Sequence, residues 1–568
     1  MSHGYWKDLL NILALATVDE LKPKLPLNPR SNFLHNYCDG ISRPAFQDNQ
    51  EQEEWARTQR VKRSRHAHDL LGRKLLDKRY RALYVAIARL FANQLAKDFD
   101  VMTKIAALPV DADGQDRMTL MHALTLATKW APTPGGSHDR VTNIASAICL
   151  LLHEAQVLLS VTHGISFSVS MALPVAEMQL LRSVYQKDIL TRGRRYSCVP
   201  EPLMSANSWS EIVYSRVPSI CMNKNKGVFF CHDEERFVNY LSDIESGKKQ
   251  ISGATLLPHL LTIEAVELYR QEAGSDESTS HPLGNALEKR KRQLAEAKMR
   301  VVDAQWATLV SRLRESGKLD NCIAVCDVSG SMGSVWRASR AKSAFNVQPI
   351  WPALSLSLLV ARLAQPPFND SFITFSAKPE FVTLDPESRR VSLGATIDGM
   401  SNANWQMNTD FNAIFLKLIL PLAIQHNVPK DQMIRRIFVF SDMQFDAANT
   451  KSDSGVAATE WKTNHDATAE AYAEAGYDVP ELVYWDLSNT QDGHGITTPV
   501  TGEREGVTLL SGYSPSLLKL FMDVEGEEDW EVLDENGQSQ IERPALTPEE
   551  LMKKALERKS YDGLVVVD

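Results

Sequence analysis

Apolar positions recur at three- and four-residue steps through most of the first half of the chain. Between Trp55 and Ala96, Leu70, Leu71, Leu75, Leu76, Leu83, Ile87, Leu90 and Phe91 keep this period with no proline inside the run, which predicts helix. The same period predicts helices over about 117–130, 141–158 and 172–189, separated by breakers such as Ala131-Pro-Thr-Pro-Gly-Gly-Ser137. Near the start, Leu9 to Ala16 reads as an amphipathic helix rather than an export signal, because Asp8 precedes it and Asn11 interrupts its short apolar core. The first half is therefore expected to be all-α, and a repeat-like stacking of helix pairs fits the pattern. Gly274 to Pro282 is polar and breaker-rich, as a linker would be, and a charged helix is expected from about 284 to 315.

Beyond Asp320 the pattern changes to short β-rich runs alternating with helices. The runs are Cys322 to Cys326, Phe372 to Phe375, Ile437 to Phe440, Leu482 to Trp485 and Gly506 to Leu510. Such alternation predicts βαβ crossovers and a doubly wound, mostly parallel sheet with helices on both faces. Thr547-Pro-Glu-Glu550 has the capping chemistry of a last helix, and Leu564 to Val567 would suit a last strand. The expected organisation is a helical domain over 1–271, a linker and connecting helix over 272–320, and an α/β domain over 321–568.

Composition bounds this picture without redrawing it. The 568 residues are 43% hydrophobic and 23% charged, enough to bury a sizeable core. The longest apolar stretches, 354–361 and 411–424, fall short of the roughly 18 to 20 residues of a membrane span. The seven cysteines have no CxxC spacing, so neither a disulfide framework nor a zinc ribbon is indicated. A reducing, cytoplasmic or nuclear compartment is the expectation.

Charge does alter the reading. The formal net charge of −9 argues against a nucleic-acid partner when taken whole. Residues 1–320, however, hold 42 basic and 36 acidic side chains, whereas residues 321–568 hold 20 and 35. The basic excess concentrates in one helical stretch: Arg57, Arg60, Lys62, Arg63, Arg65, Arg73, Lys74, Lys78, Arg79, Arg81 and Arg89 face only Asp69 and Asp77. Backbone phosphates are the natural ligand for such a surface, although a solvated helix face carries the same pattern. Arg60, Lys62, Arg63, Arg65, Arg73 and Lys74 are the candidate nucleic-acid contacts.

The strongest local motif is Cys322-Ile-Ala-Val-Cys-Asp327-Val-Ser329-Gly-Ser331-Met-Gly333, an apolar strand ending in an acid, with two hydroxyls following at steps of two. Asn408-Thr409-Asp410-Phe411 supplies a polar loop before a helix, and Phe438-Val-Phe-Ser-Asp442 is a second apolar strand ending in an acid. In an open parallel sheet these loops share the carboxyl edge, where ligands bind. Asp327, Ser329, Ser331, Thr409 and Asp442 offer only oxygen, which suits Mg²⁺ or Mn²⁺ rather than zinc or copper. Taken singly, each loop also fits turn or helix capping.

Asp-x-Ser-x-Ser, a loop Thr and a later Ser-Asp, in this order, resemble the metal-ion-dependent adhesion site of a von Willebrand factor A domain. The resemblance implies Ser329, Ser331 and Thr409 as direct ligands, Asp327 and Asp442 as supports, and a partner carboxylate completing the shell. Gly4 to Leu10, Lys129-Trp-Ala-Pro132 with His138-Asp-Arg140, Leu203 to Trp209 and Arg216-Val-Pro-Ser219 resemble the domain of unknown function 2828 family, in which helices precede such an A domain. The two-part layout is similar to that of the Ro autoantigen group, which implies structured RNA as a second kind of partner.

Enzymatic motifs are missing from the sequence. Ser329 stands where a haloacid-dehalogenase-type phosphatase needs its second Asp, and GxSxG, GxxxxGK[ST] and HExxH do not occur. Cys322 and Cys326, four apart on one strand, are expected to be small core residues. The expected function is a non-enzymatic scaffold that binds an acidic protein partner through a metal. Binding of RNA by the basic helical region is the alternative.

Overall fold

The structure is a computed structural model that describes residues 6–18, 46, 48–109, 114–157, 174–253, 256–273, 282–335, 347–375, 379–384, 392–401, 414–442, 468–488, 506–522, 530–533 and 539–542, together with positions 549, 552, 553 and 556. The chain divides into two compact units, residues 1–213 and 214–568. Among the described residues, no helix is long and apolar enough to cross a membrane.

In the first unit the described elements are helical: α1 (Trp6–Val18), α2 (Asn49–Lys74), α3 (Lys78–Ala107), α4 (Gly114–Ala123), α5 (Ser137–Thr142), α6 (Ile144–Glu154) and α7 (Val175–Val184), with shorter turns between. The single run expected across Trp55 to Ala96 is broken between α2 and α3. Asp77 is extended there and its carboxylate accepts the Arg79 amide at 2.8 Å, capping α3. The Arg81 guanidinium donates to the Leu75 carbonyl at 3.2 Å, near the end of α2. The apolar period continues across the break, so periodicity alone does not expose it. Helix α7 passes into a π-wound turn, Tyr185–Thr191.

The core of this unit forms where α3 lies against α6 and α1. Tyr84, Ile87, Phe91 and Leu95 meet Ile144, Ile148 and Leu152, together with Leu10 and Leu13. Beside it lies a polar knot built from the segments Lys129–Pro132 and His138–Arg140. Asp139, 4% exposed, accepts the amides of Gly135 at 2.8 Å and Ala145 at 2.9 Å, and a guanidinium nitrogen of Arg182 at 2.6 Å. Arg194 donates to the carbonyls of Thr128 and Ala131, and the Tyr185 hydroxyl donates to that of Pro132. Burial pushes His138 down to about 4, helped by Lys7, so its ring is neutral near pH 7 beside the Asn11 side chain at 2.9 Å.

The second unit is built on a six-stranded sheet of order β3-β2-β1-β4-β5-β6. Its strands are β1 (Cys322–Asp327), β2 (Ser371–Phe375), β3 (Phe381–Thr383), β4 (Arg436–Ser441), β5 (Glu481–Asp486) and β6 (Val507–Ser511). All neighbours are parallel except the edge strand β3. The five strands expected from the sequence are present to within a residue or so at each end. The expected last strand at Leu564 to Val567 lies outside the described residues.

Alternation along the strands separates two cores. Cys322, Ala324, Cys326, Phe438, Phe440 and Trp485 face one way, and Ile323, Val325, Ile437, Val439 and Tyr484 face the other. On the first face α12 (Ile350–Leu363) lies against β1, β2 and β4, and α10 (Pro258–Ala273), α11 (Pro282–Arg314) and α13 (Leu393–Ser401) join it in one core, so helices from both sides of Asp320 contribute. Before them, α8 (Ser219–His232) and α9 (Glu234–Glu245) pack on α11. Helix α11, expected as a connector, is thus a wall of the sheet unit, with Val302, Trp306, Leu309 and Leu313 in its core. At Gly394 the backbone of α13 comes so close to α10 that a Cβ would lie 2.4 Å from the Ala265 carbonyl oxygen.

Asp303 of α11 accepts the amide of Leu393, the first residue of α13, at 2.8 Å. Burial pushes this carboxyl up to about 6; the Leu393 amide opposes the rise and the Glu245 charge adds to it. Its pKa in the folded chain therefore lies above the ordinary aspartate value of ~3.9. The stabilisation is complete below about pH 4 and is lost as pH rises through about 6, on the order of 2 kcal/mol after allowance for partial exposure. Asp303→Asn keeps the acceptor and removes the titration. Denaturant unfolding of both proteins between about pH 4 and 7.5 should show this extra decline in the wild type alone; parallel curves would refute it.

Candidate metal-binding edge and basic helix

Strand β1 is buried along all six residues, flanked by β2 and β4, so its end is held from both sides. Its last residue, Asp327, is 3% exposed. One carboxylate oxygen accepts the Ser329 amide at 2.9 Å, and the other accepts the Ser441 hydroxyl, from the end of β4, at 2.6 Å. Ser329 opens a short 3-10 turn, Gly330–Met332, and its hydroxyl lies 3.0 Å from that of Ser331. Gly333 closes the turn with φ +101°, and a Cβ there would meet Gln348 at 2.9 Å, so glycine is required on both counts. The Met332 sulfur accepts the Asp442 amide at 3.2 Å, tying the loop after β1 to the end of β4.

Four of the five residues expected at this site therefore share one edge: Asp327, Ser329, Ser331 and Asp442. Thr409 lies outside the described residues. Ser441, which holds Asp327, is missing from the expected set; its signal in the sequence is a hydroxyl before the acid that ends an apolar strand. Asp486 also ends its strand at this edge, paired in register with Ser441, and accepts the Ser488 amide at 2.7 Å.

Burial raises the pKa of Asp327, against the Ser441 and Ser329 hydrogen bonds, and the nearby Asp442 charge adds to the rise. Two carboxylates in low dielectric favour an added cation. Among the described residues no group of three or more His, Cys, Asp or Glu is placed to hold a metal. A separate open cleft of about 980 Å³ in this unit is lined by Lys249, Arg300, Trp306 and Arg362 among others; none of the four edge residues lines it.

The candidate nucleic-acid residues all lie on α2. Arg60, Lys62, Arg65 and Arg73 are exposed, and Arg63 and Lys74 are half-buried.

Comparison with known proteins yields two family matches. Residues 1–319 match a domain of unknown function (DUF2828), and residues 321–556 match a different one (DUF7788), so the region expected as an A domain is, at the level of families, a second domain of unknown function. The chain is 26% identical over 450 residues to "Uncharacterized protein L728" of Acanthamoeba polyphaga mimivirus, a match covering 77% of this chain and 62% of the viral protein. The chain thus spans less than two thirds of that relative. No solved structure matches. Since the first match extends over more than half of its length, the chain belongs to the DUF2828 family.

Proposed function

We propose that the sheet unit is a von Willebrand factor A-like module that holds Mg²⁺ or Mn²⁺ at its carboxyl edge and presents it to a carboxylate on a protein partner. In this reading the protein is a non-enzymatic, metal-dependent interaction scaffold. The observation that carries it is the pair of Ser329 and Ser331 hydroxyls, 3.0 Å apart beside a buried aspartate at the end of a central strand. Two adjacent oxygens of an octahedral shell with bonds of ~2.1 Å are about 3.0 Å apart.

Asp327 has both oxygens engaged, so its part is to orient the loop and supply charge, leaving direct contact to the hydroxyls. Thr409 would supply a third hydroxyl. With neutral donors dominating, the ion keeps most of its positive charge and favours an anionic ligand in its open position.

Thermal unfolding of the full chain over a MgCl₂ titration tests this reading. Metal at about a hundred times its dissociation constant should stabilise the wild type by roughly 2.7 kcal/mol, a rise of a few degrees in Tm. Asp327→Ala and the double variant Ser329→Ala with Ser331→Ala should lose the response. A wild type indifferent to both Mg²⁺ and Mn²⁺, or variants that respond equally, would sink the proposal.

A further inference from the structure

Helix α2 is unusual in how little of it is covered. Of its 26 residues only Gln59 and Leu71 are buried, although Asp48 caps it by accepting the Glu51 amide at 2.7 Å. From Arg57 onward it carries seven basic side chains against Asp69 alone. Arg57, Arg60, Lys62, Arg65 and Arg73 are exposed, and none of them is ion-paired with an acidic side chain among the described residues. Arg57 with Arg60, Arg60 with Arg63, and Lys62 with Arg65 are three residues apart, a spacing at which like charges destabilise a helix. Five positive charges thus stand exposed along one rod without an acidic partner among the described residues.

We infer that α2 binds the sugar-phosphate backbone of a nucleic acid. From Arg57 to Arg73 the exposed cations extend over about 24 Å along the axis and are densest between Arg57 and Arg65. A partner that carries a continuous row of anionic groups over such a length matches this stretch, and phosphates on each strand of a duplex recur every ~3.4 Å. A membrane surface fits less well. A helix lying in a lipid interface buries an apolar face, whereas Val61 is the only large apolar side chain that α2 exposes. The affinity would be electrostatic, tolerant of sequence and steeply dependent on salt. This inference is independent of the metal reading, since it rests on other residues in the other unit.

Fluorescence anisotropy of the full chain with labelled RNA and DNA of about 20 nucleotides, each single- and double-stranded, tests it across a salt series. The wild type should bind at least one of these, with log affinity falling linearly with log salt. The variant with Arg57, Lys62, Arg65 and Arg73 each changed to Glu should bind at least tenfold more weakly, with a shallower salt slope. A milder variant with the same four changed to Gln, checked for wild-type helicity by circular dichroism, should fall between them. Whether RNA or DNA binds more tightly identifies the source of the phosphate backbone. No binding to any of the four ligands at low salt would overturn the inference, and so would equal binding by all three proteins. Tighter binding to phosphatidylserine vesicles or to polyglutamate than to every oligonucleotide would overturn it too.

Discussion

A fragment that begins at Asn321 should fail to fold, whereas one that begins at Tyr214 should show a cooperative thermal transition. The shorter fragment holds every strand of the sheet but loses α10 and α11, which pack on α12 and α13 and complete the core on one side of it. Leu261, Val266, Val302, Trp306, Leu309 and Leu313 leave the core with them. At roughly 1.5–3 kcal/mol for each buried side chain, these six alone represent about 9–18 kcal/mol, as much as the whole stability of an ordinary domain, ~5–15 kcal/mol. Polar anchors go too: Arg270 donates to the Val335 carbonyl at 2.8 Å and contacts Asp398 at 3.2 Å, and Arg314 donates to the Arg362 carbonyl at 2.6 Å. Differential scanning calorimetry of both fragments decides the matter. Equal transition temperatures would mean that the core on that side does not need α10 and α11.

The second large effect lies in the helical unit. Asp139→Ala should destabilise it by about 3–5 kcal/mol, because removing one partner of a buried pair leaves the other charge without compensation. Arg182 would keep Asn143 and Ser146, at 3.1 and 2.5 Å, but no carboxylate, and the Gly135 and Ala145 amides would lose their acceptor. Asp139→Asn, which retains an acceptor, should fall between the two. Urea unfolding of the full chain provides the measurement, and a loss below about 1 kcal/mol for the alanine variant would show that the knot contributes little.

What could be read from the sequence followed from how each element is buried. The central strands were legible because strands covered on both faces are continuous apolar runs, such as Cys322 to Cys326 and Ile437 to Phe440. Strand β3 was not, being three residues long and only partly buried at an edge. The break between α2 and α3 was masked by leucines that keep their period across it; only the capping aspartate, Asp77, signals it. An amphipathic pattern says that a helix covers something without saying what, so the assignment of α10 and α11 to the sheet could not be read from periodicity. At the candidate metal edge, Asp327, Ser329 and Ser331 stand together by spacing along the chain, and Asp442 shares their edge because it too follows the carboxyl end of a parallel strand. Ser441 escaped because its part, a hydrogen bond to a residue 114 positions earlier, depends on which strands become neighbours.

The close approach at Gly394 bears on how this chain can change over generations. Ala265 belongs to the segment matched by one family and Gly394 to the segment matched by the other, yet no side chain fits between them. Any lineage that enlarges residue 394 must also shift α10, and one that repositions α10 inherits a new limit on residue 394. Chimaeras joined near residue 320 from two distant relatives separate these two positions, and should therefore fold only when the incoming residue 394 is glycine and the other parent holds α10 in the same place, making the seam between the families a poor place for recombination.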